Sequence, residues 1–184
     1  MERLGIVVSG LPASGKTQLG RRVSEALDLP FLDKDDFLES LYECEGVGDW
    51  AWRQSLSRKA DALFQAEAEE LSSAVLVSHW RPTNADSKSG TPTDWIAGSF
   101  SQIIELYCEC PPALATERFF RRSRHPGHLD HTRDRQELAV RMREFAQHYP
   151  LGVGPVVSVS TEHEVNIAEL ADRILSASAS KAGS

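Results

Sequence analysis

The sequence predicts an α/β sandwich of three layers built on a parallel sheet. Short β-branched runs alternate with longer helical stretches along most of the chain. The first run, LGIVVSG, ends in glycine and passes straight into helical sequence, as a buried parallel strand does. Residues that carry chemistry gather just beyond the ends of these runs, where ligands bind in open parallel sheets. At 184 residues the chain is expected to form one domain, 1–176, followed by a disordered tail at 177–184.

Each element has its own signal. After LGIVVSG, residues 16–27 are helical in pattern, and Phe31–Leu32 offers a brief second strand closed by acids. From Trp50 to Leu71, Leu56, Ala60, Leu63, Phe64 and Ala68 recur at helical spacing. AVLVSHW reads as the third strand and QIIELYCEC as the fourth, stopped by Pro111 and Pro112. Helical sequence resumes in ALATERFF and in RQELAVRMREFAQHY; GPVVSVS is the fifth strand and VNIAELADRILSA the last helix. Residues 82–98 are rich in turn formers and read as a polar loop.

Composition excludes several classes. Against 20 Lys and Arg stand 27 Asp and Glu, a net charge of −7, so the chain lacks the basic surface of a general nucleic-acid binder. No apolar run approaches the length of a membrane span, and the N-terminal run is too short for a signal peptide, which points to the cytoplasm. Cys44, Cys108 and Cys110 form neither a disulfide framework nor a zinc quartet; Cys108 and Cys110 read as small buried hydrophobes.

The first strand runs into GLPASGKT, Gly10 to Thr17, which fits G-x-x-x-x-G-K-[ST]. Gly10 and Gly15 permit tight turns, so that the loop of Gly10, Leu11, Pro12, Ala13, Ser14, Gly15, Lys16, Thr17 and Gln18 frames phosphate oxygens with its backbone N–H groups, which every one of these residues but Pro12 has, at a helix N-terminus. Lys16 supplies a point charge to the β- and γ-phosphates, and the Thr17 hydroxyl coordinates magnesium. With this loop the expected fold is a P-loop NTPase sandwich, five parallel strands in the order 2-3-1-4-5. No D-x-x-G switch of a GTPase occurs, and neither central strand ends in the Asp of a motor ATPase.

Beyond the second strand stand Asp33, Asp35 and Asp36. If this stretch is extended, Asp33 and Asp35 point the same way, one toward magnesium and one toward an attacking hydroxyl. The competing reading is that the acids cap the following helix, which suits Asp36 best. Residues 118–135, RFFRRSRHPGHLDHTRDR, hold six arginines against two aspartates. The segment is either a solvated face or a cationic clamp for transferring phosphate. Its histidines, unsuited to a metal site without cysteine partners, read as tuners of local charge near neutral pH. Asp35, His79, Trp80 and Arg81, with Arg53, are expected around the acceptor; Trp50 and Trp52 read equally as a substrate wall or as packing.

These stretches together resemble the P-loop kinase-like proteins known as AAA-domain or zeta-toxin-like ATP-binding proteins, relatives of shikimate, gluconate, chloramphenicol and nucleoside monophosphate kinases. The similarity carried by GLPASGKT, FLDKDDF, VLVSHWRP and CECPPALATERFFRRSRHPGHLD spans nearly the whole chain. It implies ATP and Mg2+ as cofactors, Asp33 near magnesium, and Asp35 at the acceptor hydroxyl. It also implies a mobile Arg-rich lid at about 120–134, with Arg118 stacked on adenine and Arg122 and Arg124 on the γ-phosphate. The function expected is transfer of the γ-phosphoryl group to a hydroxyl of a small molecule. The alternatives are a nucleotide or polynucleotide kinase, and a nucleotide-binding regulator or toxin-like protein without catalysis.

Overall fold

A computed structural model describes residues 3–82 and 89–179. Five strands, β1 (Leu4–Ser9), β2 (Phe31–Asp33), β3 (Ser73–Val77), β4 (Gln102–Glu109) and β5 (Val156–Ser160), form one parallel sheet in the order β2-β3-β1-β4-β5. This is the predicted topology. The helices α1 (Lys16–Leu27), α2 (Lys34–Glu45), α3 (Trp50–Glu70), α4 (Ile96–Ser99), α5 (Pro112–Arg121), α6 (Arg135–Ala146) and α7 (Ile167–Ala179) connect and cover it.

Alternation along the strands builds three layers. Ile6 and Val8 of β1 face one side, where Leu19 and Val23 of α1 and Leu170 and Ile174 of α7 complete a core. Val7 faces the other, against Phe64, Phe119 and Met142 from α3, α5 and α6. Gly20 lets α1 lie close to the sheet, since a Cβ there would come within 2.8 Å of the Val77 side chain. Buried Glu105 of β4 accepts from Ser9 Oγ at 2.5 Å and from the Leu151 and Gly152 amides at 2.7 and 2.8 Å. It ties the strand centre to the loop before β5.

Three expectations change. Asp33 closes β2 in extended conformation, but Asp35 and Asp36 are helical: Asp33 caps α2 by accepting from the Asp35 amide at 3.0 Å, and the helix begins at Lys34. Capping prevails over strand alternation because orphan amides at a helix start demand an acceptor. The third strand leaves the sheet after Val77, so Ser78, His79 and Trp80 follow a separate path. The expected tail begins inside α7, which continues to Ala179; residues 180–184 lie outside the described residues, as do 83–88 of the polar loop.

Candidate active site

The strand ends converge on a cavity of about 580 Å3. The phosphate loop forms part of its lining. Gly10 takes φ 132°, and a Cβ there would lie 2.7 Å from the Cys108 carbonyl, so only glycine fits. Ala13 and Gly15 also adopt positive φ. Of the residues assigned to the nucleotide, Pro12, Ala13, Gly15, Lys16, Thr17 and Gln18 line the cavity. Leu11 and Ser14 are buried; the Leu11 side chain joins the core and its carbonyl accepts from Lys16.

Lys16 Nζ donates to the Gly10 and Leu11 carbonyls at 2.9 and 2.7 Å. Burial pushes its ammonium down to about 8, against the opposing pull of Cys108, Asp33 and Asp35. Thr17 Oγ1 donates to Asp33 Oδ2 at 2.7 Å. Asp33 is 3% exposed, and burial with the neighbouring Asp35 charge raises its carboxyl to about 6.

Asp35, in the first turn of α2, accepts from Arg124. Burial raises the Asp35 pKa, but the positive charge around it, that of Arg124 foremost, outweighs burial and holds the carboxyl below the ordinary range. Arg122 lies over the Phe119 ring at 4.4 Å and pairs with Asp130 at 3.2 Å. Arg118 donates to the Thr161 carbonyl at 2.8 Å. It lines both this cavity and a neighbouring one of about 410 Å3 bounded by Gln18, Arg22 and His163.

The Arg-rich segment docks on α2 through aromatic contacts. His125 stacks on Tyr42 at 5.2 Å, Trp52 stacks on Tyr42 at 5.5 Å, and Gly127 packs so close to the Tyr42 ring that a side chain would overlap it. His128 meets the Tyr42 ring edge-on and bonds Glu39 through Nε2 at 2.8 Å. Burial, then Arg124, pushes His128 down to about 3, so it is a neutral donor and not the tuner of charge near neutral pH that was expected.

Of the residues expected around the acceptor, Asp35, Arg53 and His79 line the cavity. Burial and the nearby Lys16 and Lys34 hold His79 down to about 3; its imidazole packs on Phe145 at 5.4 Å. Two assignments are corrected. Trp80 is 0% exposed, packs against Phe64 in the core and donates Nε1–H to the Val8 carbonyl at 2.9 Å. Its indole satisfies the sheet and does not line the cavity. Arg81 donates to the Gly90 carbonyl at 3.0 Å and likewise is not among the lining residues. Trp52 is a packing residue on Tyr42, and Trp50 carries Arg53 and Arg133 over its ring.

Sequence reasoning missed Lys34, Glu39, Arg133, Arg141 and Phe145, all of which line the cavity. Lys34 pairs with Asp61 at 2.7 Å and donates to Ser57 at 2.9 Å. A signal existed on α6, where Leu138, Arg141 and Phe145 stand three and four residues apart and share one helix face.

A family described as AAA domain matches residues 6–148. The chain belongs to this AAA-domain family. Its five-stranded topology is that of P-loop kinases: a crystal structure of a candidate kinase from Chloroflexus aurantiacus superposes with TM-score 0.81 at 24% identity, covering 96% of this chain and 99% of that one. A gluconokinase from Sinorhizobium meliloti superposes with TM-score 0.59 at 18% identity, covering 99% and 94%. In sequence, 37 residues are 49% identical to a shikimate kinase of Chlamydia pneumoniae, a stretch that spans 20% of this chain and 21% of that protein. Among the described residues of this AAA-domain protein, no helix is long and apolar enough to cross a membrane.

Proposed function

We propose that the protein is an ATP-dependent kinase that transfers the γ-phosphoryl group to a hydroxyl of a small molecule. The observation that carries this reading is a single cavity lined by the phosphate loop and also by Asp35 and His79. A binding module needs only the first part.

In the reaction the acceptor oxygen bonds to the γ-phosphorus while the bond from phosphorus to the ADP oxygen breaks and its electron pair leaves with ADP. The hydroxyl proton passes to the Asp35 carboxylate, which its depressed pKa keeps ionised. Such a base is weak, but phosphoryl transfer runs through a loose transition state in which positioning and charge stabilisation dominate. Lys16, Arg122 and Arg124 supply that stabilisation, and Arg118 borders the cavity beside Gln18 and Arg22 where a base would extend. His79, held neutral, offers a hydrogen-bond partner to a second hydroxyl.

Thr17 and Asp33 are adjacent oxygen donors, the class magnesium selects, and magnesium needs only one or two of them beside phosphate oxygens. These two residues would hold the ion. When bound, magnesium neutralises phosphate charge.

The test is incubation with ATP, magnesium and a panel of hydroxylated metabolites, nucleosides, nucleotides and aminoglycoside-like compounds, with ADP release and mass gain followed for each. The reading requires one compound to gain a phosphate, and the gain to vanish in Lys16→Ala and Asp35→Asn. ATP binding with no acceptor gaining mass would favour a nucleotide-binding regulator.

A further inference from the structure

The cations lining the cavity fall into two groups. Lys16, Lys34, Arg118, Arg122 and Arg124 each have a partner: the loop carbonyls, Asp61, the Thr161 carbonyl, Asp130 and Asp35. Arg53 of α3, Arg133 before α6 and Arg141 of α6 also line the cavity. Among the described residues none of these three makes an ion pair or a side-chain hydrogen bond, and Arg53 Nε is buried without a partner. Arg53 and Arg133 lie over the same indole, 5.3 and 4.1 Å from the Trp50 ring centre.

Three like charges held at one cavity wall oppose one another. Burial lowers the Arg133 pKa, and Arg141 and Arg53 lower it further. Such a grouping is stabilised by an anion, and the planar guanidinium fork suits the paired oxygens of a carboxylate or phosphate. The triphosphate already has the phosphate loop, Lys16, Arg118, Arg122 and Arg124. Arg53 and Trp50 belong to α3, which packs on α2 through Leu56, Ala60, Leu38 and Tyr42. They are therefore carried by the helical pair that also presents Asp35.

We propose that Arg53, Arg133 and Arg141 seat an anionic group on the acceptor itself. The substrates are then hydroxylated carboxylates or phosphate esters, not neutral sugars or nucleosides. The inference rests on the kinase reading of the same cavity, since it assigns the acceptor's remote end while Asp35 takes its hydroxyl. Trp50 carries two of the arginines over one ring and so keeps them side by side.

The test is a binding measurement, independent of turnover. Protein saturated with magnesium and a non-hydrolysable ATP analogue, which fills the γ-phosphate position, is titrated by calorimetry with inorganic phosphate and separately with lactate. Glycerol serves as the neutral control. Saturable binding of one anion per chain is expected, weakened at least about tenfold in Arg53→Met and in Arg133→Met. Affinity for the ATP analogue should stay within about twofold of the original. Tighter binding of phosphate would identify phosphate esters, and of lactate, hydroxy acids. Absence of saturable anion binding, or binding that survives in both variants, would overturn the proposal. Should a neutral compound gain phosphate from ATP with its KM unchanged in Arg133→Met, the anionic seat would fail while the kinase reading stood. Loss of turnover on every compound beside intact anion binding would do the reverse.

Discussion

The phosphate loop and the proposed acceptor side of the cavity are built in different ways. The loop is one contiguous stretch whose shape is held by backbone: positive φ at Gly10, Ala13 and Gly15, and amides and carbonyls that already engage Ser14 and Lys16. The acceptor side draws Asp35 from α2, Arg53 from α3, His79 from beyond β3 and Arg141 from α6. Its geometry depends on aromatic packing around Tyr42 and on charge pairs such as Arg124 with Asp35. A backbone-defined cradle tolerates many folds around it and names a common ligand. A site assembled from four elements changes whenever one of them shifts, which suits variation of substrate.

Substitutions on the two sides should therefore separate chemistry from architecture. The largest effect is expected at Lys16→Ala, which should lower kcat about 10³-fold because the charge on the transferring group loses its nearest cation. Steady-state kinetics with the phosphorylated acceptor would check it. Arg124→Met should lower kcat about 10²-fold, and removal of its charge should also raise the Asp35 pKa and move the acid limb of the pH profile upward. A profile unmoved by this change would separate Arg124 from Asp35.

Next comes the scaffold beneath both sides. Glu105→Ala leaves Ser9 Oγ and the Leu151 and Gly152 amides without their acceptor and should cost about 3 kcal/mol in denaturant unfolding, with turnover per folded molecule little changed. Stability should also depend on pH through the two imidazoles held near 3. His79 and His128 stay neutral in the folded chain while their unfolded counterparts take a proton as pH falls below about 6.5. Unfolding is thereby favoured at acid pH, by about 1 kcal/mol per pH unit for each histidine between pH 6 and 5. Asp33, raised to about 6 in the folded chain, opposes them in the same window, so unfolding curves for His128→Gln should lose about 1 kcal/mol per pH unit of acid destabilisation relative to the original protein. The smallest effect on turnover belongs to Trp80→Phe, which removes the bond to Val8 and part of a fully buried ring and should cost about 2 kcal/mol in stability while acceptor KM is unchanged.

Legibility in the sequence follows the same division. The strands, most of the helices and the phosphate loop are local patterns that appear where periodicity and the glycine spacing predict them, and the strand order is the one expected with such a loop, whereas α2 and α4 were not foreseen as separate helices. The acids after β2 were legible as a group but not in geometry. Asp33 is the cap that the sequence reading assigned best to Asp36, and it also accepts from Thr17. Trp80 misled because an indole at a strand end looks like a ligand wall, whereas its N–H found a strand carbonyl within the core. Arg133 and Arg141 were invisible as a pair because only the packing of α6 and the preceding turn brings them to the cavity that Arg53 reaches from α3. Charge counting singled out the segment around Arg133 but offered no reason to join it to α3.

The central claim, that the phosphate loop and the acid-bearing wall act together in one transfer, is tested most directly by Asp35→Asn. Nucleotide affinity and acceptor phosphorylation should be measured on the same preparation. ATP affinity within about twofold of the original, with transfer to the acceptor lowered at least about 10²-fold, is the predicted result. Unchanged transfer in this variant would contradict it and leave the loop as a nucleotide-binding device alone.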